Sequence, residues 1–171
     1  SGLPDYMQLG MQYWPEGNMA ANREAIELLV RHRPPMLFQP GEKFQYCNTG
    51  YVLLAAIIEK LSGLSYADFI KQRIFDPLGM KQSRVYRTVF DETTQKGIAY
   101  GYVIDPTRAK MVLPENFPPY KKQVTTITGT FGDGGIFSSA DDMWIWENAL
   151  TTNKLIKKSS LDAAFTSGLL N

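Results

Sequence analysis

The stretch Pro40-Gly41-Glu42-Lys43-Phe44-Gln45-Tyr46-Cys47-Asn48-Thr49-Gly50-Tyr51 joins a loop to the most apolar segment of the chain. It begins with a Pro-Gly pair, which favours a turn, and runs into residues 51–58, all of which are apolar. Asn48 or Thr49 can cap a helix, and Gly63 is typical of a helix terminator. The pattern predicts a helix that is apolar nearly all round and therefore lies in the core.

Two further helices are predicted on either side of this one. Asn22 is a preferred N-cap residue, apolar residues recur after it, and Pro34 ends the helix. Ser65 followed three residues later by Asp68 forms a capping box. This capping box predicts a helix over residues 66–74, which ends before the Pro-Leu-Gly that follows.

The middle of the chain has the character of strands. Residues 98–104 alternate bulky and small side chains, as a strand does. Residues 105–107 are a turn sequence, so residues 111–113 are predicted to return as the partner strand. The β-branched residues 124–128 predict a third short strand.

The last part of the chain returns to helix. A glycine-rich turn, residues 129–135, leads to a capping box formed by Ser139 and Asp142. This predicts a helix over residues 140–150. Ser159, also followed by an aspartate three residues later, predicts a final short helix. The whole is therefore mainly α with a small antiparallel hairpin or sheet, and no linker divides it into two domains.

Composition limits the classes of function. The chain has 171 residues and a net charge of +1, and its scattered Lys and Arg argue against a nucleic-acid surface. Its longest apolar run, residues 51–58, is far short of the roughly 20 residues that cross a bilayer. Cys47 is the only cysteine and His32 the only histidine, which excludes an internal disulfide and a two-histidine metal centre. We therefore expect no metal, no nucleic-acid partner and no membrane span in this segment.

Four short segments of the sequence resemble segments of a known protein family. They are residues 1–4, residues 40–51, residues 66–80 with their Ile-Phe-Asp-Pro-Leu-Gly-Met ending, and residues 134–143, Gly-Gly-Ile-Phe-Ser-Ser-Ala-Asp-Asp-Met. In order and spacing they resemble the β-lactamase-related serine hydrolases, which include class C β-lactamases, penicillin-binding carboxypeptidases and family VIII esterases. The resemblance covers most of the chain.

The resemblance also shows what the chain lacks. The family uses a nucleophile in Ser-x-x-Lys, a Tyr-x-Asn loop and a Lys/His-x-Gly strand, and only Tyr46-x-Asn48 is present. No serine here has lysine three positions later, and neither His32 nor any lysine is followed by the required glycine. The resemblance therefore implies that residues 1–171 form a single domain, the helical domain of this fold, lacking most of its α/β domain.

The resemblance assigns two catalytic residues. Tyr46 would be the general base and later the acid for the leaving group, and Asn48 would hydrogen-bond the substrate amide and the catalytic lysine. A tyrosine with a pKa of about 10 is a poor base unless cations lower that pKa. Without the Ser-x-x-Lys lysine, Tyr46 has no evident activator in this chain.

Each candidate residue also has a purely structural interpretation. Tyr46 would pack its ring on the core as an ordinary loop tyrosine, and Asn48 would cap the following helix. Cys47 with His32 as its base would make a cysteine hydrolase. That alternative is disfavoured, because His32 is expected at a helix end among arginines and Cys47 as a small buried thiol.

The function implied is that of a segment of a serine hydrolase, cleaving an amide or ester bond (β-lactam, D-Ala peptide or ester) through an acyl-serine intermediate without a cofactor. The segment alone would be inactive. The alternative is a non-catalytic binding module that keeps the fold. The partners implied are a small-molecule or peptide substrate, and self-association through an apolar face left uncovered by the missing domain. A periplasmic, secreted or cell-envelope location is implied by the resemblance alone.

Overall fold

The computed structural model describes residues 1–15, 20–86, 97–118, 120–121 and 129–166. Within these residues the chain is mainly helical with two small antiparallel sheets, as the sequence predicts. The α-helices are α1 (Tyr6–Tyr13), α2 (Asn22–His32), α3 (Thr49–Ser62), α4 (Tyr66–Ile70), α5 (Asp76–Leu78), α6 (Ala140–Leu150) and α7 (Lys158–Phe165), and a short 3₁₀ helix spans Pro114–Asn116. The strands are β1 (Arg84–Val85), β2 (Val103–Asp105), β3 (Lys110–Val112) and β4 (Ile136–Phe137). No helix in these ranges is long and apolar enough to span a membrane.

Helix α3 has the predicted bounds, but the prediction that it is buried nearly all round is wrong. Val52 and Ala55 are each only 1% exposed, and Gly63 ends the helix in the left-handed conformation with φ of 71°. The opposite side of the helix carries a stripe of exposed apolar residues, which are Tyr51, Leu54, Ile57 and Leu61. Because successive turns of a helix repeat every 3–4 residues, these side chains share one face, which we call the α3 outer face.

The core lies in two clusters on the inner side of α3. One groups Ala55 with α4, the following turn and Phe131, and its buried members are Ala55, Tyr66, Ile70, Phe75, Met80 and Phe131. The other consists of Tyr6, Ala25 and Val52, one from each of α1, α2 and α3. Helix α3 therefore contributes to both clusters, and it joins the N-terminal helices to the rest of the molecule.

The helix predicted to end at Ile74 continues to Leu78. One π-helical turn, Lys71–Phe75, joins α4 to α5, and the backbone N–H of Asp76 donates to the carbonyl of Lys71. Pro77 has no N–H with which to continue the α-helical ladder, and Gly79 closes the helix with φ of 73°. The N-cap prediction for α4 is confirmed, since Ser65 accepts a hydrogen bond from the N–H of Asp68 at 3.1 Å.

The hairpin prediction is confirmed with a shorter first strand. Strand β2 pairs antiparallel with β3, Val103 opposite Val112, and residues 98–102 lie outside the strand. Asp105 closes the turn by accepting hydrogen bonds from the N–H and hydroxyl of Thr107 at 2.9 and 2.6 Å. The sequence patterns did not identify the second sheet, β1 with β4. The strand predicted at residues 124–128 lies outside the described residues.

The N-caps of the other helices were predicted with mixed success. Ser139 caps α6 as predicted, accepting from the N–H of Asp142 at 3.2 Å, whereas the cap predicted at Ser159 is wrong because α7 begins after Lys157. The cap predicted at Asn22 is also wrong. Ala21 occupies the N-cap position of α2, and the Asn22 side chain hydrogen-bonds the backbone of a distant loop instead.

Candidate active-site loop

The loop that carries Tyr46 ends where α3 begins. Tyr46 is 68% exposed, and its hydroxyl makes no hydrogen bond to any residue that the structure describes. The interpretation of Tyr46 as a loop tyrosine packed on the core is therefore wrong. Its phenol is presented to solvent, where another group can approach it.

Asn48 lies at the N-cap position of α3, but its side chain does not cap the helix. Its amide nitrogen Nδ2 donates to the carboxylate oxygen Oδ2 of Asp5 at 2.9 Å, and its backbone N–H donates to the same oxygen at 3.2 Å. The Nδ2 also lies 3.5 Å from the sulfur of Met7. The capping role predicted for Asn48 is replaced by a fixed contact with the N-terminal segment.

The N-terminal segment Leu3–Tyr6 holds the end of the loop through the residues on either side of Asn48. The Cys47 thiol donates to the carbonyl of Leu3 at 3.3 Å. The Thr49 hydroxyl donates to the carbonyl of Pro4 at 2.7 Å and accepts from the N–H of Tyr6 at 2.8 Å. Thr49 is fully buried, so these bonds form where water does not compete.

Tyr6 anchors this segment to the glycine-rich turn. Its hydroxyl donates to Asp133 Oδ2 at 2.6 Å and lies 2.7 Å from the hydroxyl of Thr130. Burial, followed by the hydrogen bond to Asp133, raises the pKa of Tyr6 far above its ordinary value. Burial and the charge of Asp133 likewise raise the pKa of Tyr66. Both phenols are therefore neutral at physiological pH, and neither is suited to act as a base.

The glycine-rich turn is held against α2 and α3 from the other side. Asn22 Oδ1 accepts from the N–H of Phe131 at 2.6 Å, and its Nδ2 donates to the carbonyl of Phe131 at 3.1 Å. Gly132, with φ of 97°, lies so close to α3 that a Cβ there would overlap the carbonyl oxygen of Tyr51. The turn, the N-terminal segment and α3 therefore form one packed unit behind the loop.

The remaining candidates do not assemble a second site. The ring of His32 stacks on that of Tyr13 with centroids 3.8 Å apart, while Cys47 is half-buried against Leu3. Cys47 and His32 thus have separate partners, and the structure shows no cysteine–histidine pair between them. Among the described residues, no group of three or more His, Cys, Asp or Glu side chains could hold a metal ion.

Sequence reasoning missed Asp5 and Tyr6 as residues of this site. They directly follow the phrase of residues 1–4 that was singled out, so adjacency was the available signal. Their partners lie far away in the chain. Asp5 contacts Asn48, 43 residues later, and Tyr6 contacts Asp133, 127 residues later.

Comparison with known proteins finds a family and relatives for this chain. The Beta-lactamase family model matches residues 1–169. Penicillin-binding protein 4* of Bacillus subtilis is 40% identical over all of this chain and 38% of its own length. A D-aminopeptidase of Brucella anthropi is 31% identical over 90% of this chain and 27% of its own length. The chain thus spans well under half the length of these relatives.

A solved structure shows the same fold. The octameric penicillin-binding protein homologue from Pyrococcus abyssi superposes with a TM-score of 0.73 at 30% identity, over 98% of this chain and 36% of that one. The predicted resemblance is therefore confirmed by a family match, by sequence relatives and by a structure. The chain belongs to the Beta-lactamase family.

Proposed function

We propose that this chain is the helical, Tyr-x-Asn-bearing part of a serine hydrolase that cleaves amide bonds through an acyl-serine intermediate. The observation that carries the proposal is a contrast within one loop. Tyr46 is 68% exposed, whereas Asn48, two residues later, is held at 2.9 Å by Asp5. An exposed phenol beside a fixed amide suits a site whose remaining groups come from outside this segment.

In the proposed reaction Tyr46 moves the protons. Its phenolate takes the proton of a serine hydroxyl as the serine oxygen attacks the amide carbon. It then gives that proton to the departing amine nitrogen as the carbon–nitrogen bond breaks. Because phenols are rarely ionised at neutral pH, the proposal requires a neighbouring cation that favours the phenolate.

The nucleophile and this cation are proposed to lie outside the 171 residues. No Ser-x-x-Lys occurs within them, and the chain covers only 38% of the Bacillus subtilis relative. The exposure of Tyr46 supports this arrangement, since a lysine and a serine on another segment could reach the phenol without moving the loop. The chain by itself is then expected to be inactive.

The names of the relatives favour an amide substrate. One is called a penicillin-binding protein and another a D-aminopeptidase. A β-lactam and a peptide at a D-amino acid both contain an amide carbonyl for a serine to attack. We therefore propose an amide of one of these two kinds, in preference to an ester.

Covalent labelling tests the proposal. A fluorescent fluorophosphonate and a fluorescent penicillin are applied to the 171-residue chain and to the full-length protein that contains it. We expect stoichiometric labelling of one serine in the full-length protein, at a position outside these 171 residues, and none in the isolated chain. Labelling of a serine within the chain, or no labelling of the full-length protein by either probe, would contradict the proposal.

A further inference from the structure

We propose that the groove between residues 69–77 and residues 146–156 binds a small aliphatic carboxylate, a molecule with one negatively charged headgroup and an apolar chain. We call it the α4–α6 groove. None of its lining residues comes from α3 or from the loop that carries Tyr46. The proposal is therefore independent of the proposed function, and it can be tested in a protein that shows no turnover.

The α4–α6 groove has the size of a ligand site. One side is formed by α4, the π-helical turn and α5, and the other by α6 and the segment that follows it. Its volume is about 630 Å³, within the range of about 300–1,000 Å³ that is typical of pockets for small molecules. The groove is therefore large enough for a molecule that has both a chain and a headgroup.

The lining of the groove is mostly apolar. Its large apolar side chains are half-buried, except for Ile156, which is 43% exposed. Burial of apolar surface favours binding without a specific contact. Because aliphatic side chains outnumber aromatic rings in this lining, a flexible aliphatic chain suits it. The side chains concerned are Phe69, Ile74, Trp146, Leu150, Leu155 and Ile156.

Two cationic side chains also line the groove, one from each side. Arg73 belongs to the π-helical turn and Lys154 to the segment after α6. Neither forms an ion pair with a residue that the structure describes. By contrast, the amine of Lys71, two residues before Arg73, lies 2.6 and 2.7 Å from the two carboxylate oxygens of Asp76. The charges of Arg73 and Lys154 are therefore available to an anion.

No carboxylate of the described residues lines the groove to compensate these charges. Three acidic residues are adjacent in sequence to lining residues, but none of the three is among them. Asp76 is bound by Lys71, Asp68 accepts a hydrogen bond from the hydroxyl of Ser65 at 2.6 Å, and Glu147 lies outside the lining. The groove is thus apolar with an uncompensated positive charge, and an anion with an apolar body is complementary to it.

The polar side chains of the groove indicate which headgroup it takes. The planar guanidinium of Arg73 offers two parallel N–H donors that match the two oxygens of a carboxylate. Lys154 adds a second positive charge, and the amide of Gln72, which also lines the groove, can donate a further hydrogen bond. A neutral headgroup forgoes the attraction of both charges, and a cationic headgroup is repelled by them.

Calorimetric titration of the full-length protein with three ligands of one chain length tests the headgroup. Octanoate, 1-octanol and octyltrimethylammonium are compared below the concentrations at which they form micelles. We expect octanoate to bind one-to-one, 1-octanol to bind about tenfold more weakly, and octyltrimethylammonium not to bind. Equal affinities for octanoate and 1-octanol would overturn the proposal. Absence of octanoate binding would overturn it too, since another part of the full-length protein would then cover the groove.

Substitutions in the same titration test the location of the site. Arg73→Gln should weaken octanoate binding about fivefold and leave 1-octanol binding unchanged, and Lys154→Gln provides the same test from the other side of the groove. Lys71→Gln is the matched control, because Lys71 is paired with Asp76 and does not line the groove. Ile156→Glu, which adds a carboxylate to the lining, should abolish octanoate binding. An equal effect of Lys71→Gln and Arg73→Gln, or full octanoate binding by Ile156→Glu, would overturn the assignment to this groove.

Discussion

The segment from Tyr46 to Leu61 contains residues that the chain buries and hydrogen-bonds and residues that it leaves exposed. On the inner side, Thr49 and Val52 are 0% and 1% exposed, and hydrogen bonds to the N-terminal segment hold Asn48 and Thr49. By contrast, Tyr46 in the preceding loop is 68% exposed, and Leu54 and Leu61 on the α3 outer face are 55% and 82% exposed.

This difference separates the residues that hold the loop in place from the residues that remain available to other groups. The described residues contain what fixes Asn48, whereas the phenol of Tyr46 and the α3 outer face have no partner among them. Contiguous apolar surface of this kind marks an interaction site. We infer that the groups that complete the site approach from the outer side, and substitutions on the two sides should therefore have unlike effects.

The largest effect on stability is expected at the inner side of α3. Gly132→Ala places a methyl group into the carbonyl of Tyr51 at a φ of 97°, so we expect a loss of about 3 kcal/mol or more from strain and overpacking. Chemical denaturation measures it. Gly101→Ala, whose Cβ would meet nothing within 4 Å, is the matched control, and equal losses in the two variants would contradict the close packing described.

The second largest loss of stability is expected on removing the hydroxyl of Tyr6. Tyr6→Phe leaves Asp133 without its donor and should lower the free energy of unfolding by about 2 kcal/mol. Tyr13→Phe is the control, because Tyr13 is exposed and its change should be within about 0.5 kcal/mol.

The dependence of the free energy of unfolding on pH provides a second test of Tyr6. Because the pKa of Tyr6 is raised in the folded state, folding keeps its proton while the unfolded phenol, with a pKa of about 10, loses it. The stabilising contribution of Tyr6 to the folded state is therefore complete below about pH 10 and is lost as the pH rises further. Tyr6→Phe should flatten this alkaline loss, and an unchanged alkaline slope would remove Tyr6 as its cause.

The smallest effect on stability is expected on the outer side. Leu61→Lys should change the free energy of unfolding by less than about 0.5 kcal/mol, because Leu61 is 82% exposed. We also propose that the isolated chain self-associates through the α3 outer face, so the same substitution should weaken that association. Sedimentation velocity measures it, and a monomeric unaltered chain would contradict the proposal.

The sequence predicted those parts of the fold that depend on neighbouring residues. Ser65 and Ser139 cap their helices, and Gly63 ends α3, because each acts on backbone within a few positions. The cap predicted at Asn22 is wrong because of a distant partner. Asn22 suits an N-cap, yet it binds Phe131, 109 residues away.

The same limit applies to the candidate site. Tyr46 and Asn48 could be named from a short pattern, and their catalytic roles stay predictions. The hydrogen bond between Asp5 and Asn48 joins residues 43 positions apart. No pattern among neighbouring residues of the sequence indicates such a contact. An uncovered apolar face was expected, but its location on α3 was not predicted, because an all-apolar helix sequence does not tell which of its sides the chain covers.

We propose that Tyr46 is a base whose hydroxyl makes no structural hydrogen bond to the residues that the structure describes. The most direct measurement is the rate of acylation of the full-length Tyr46→Phe variant by a chromogenic β-lactam in stopped flow, together with its free energy of unfolding. We predict a rate about 1,000-fold lower with a free energy of unfolding within about 0.5 kcal/mol of the unaltered protein. Acylation at the unaltered rate would exclude Tyr46 as the base.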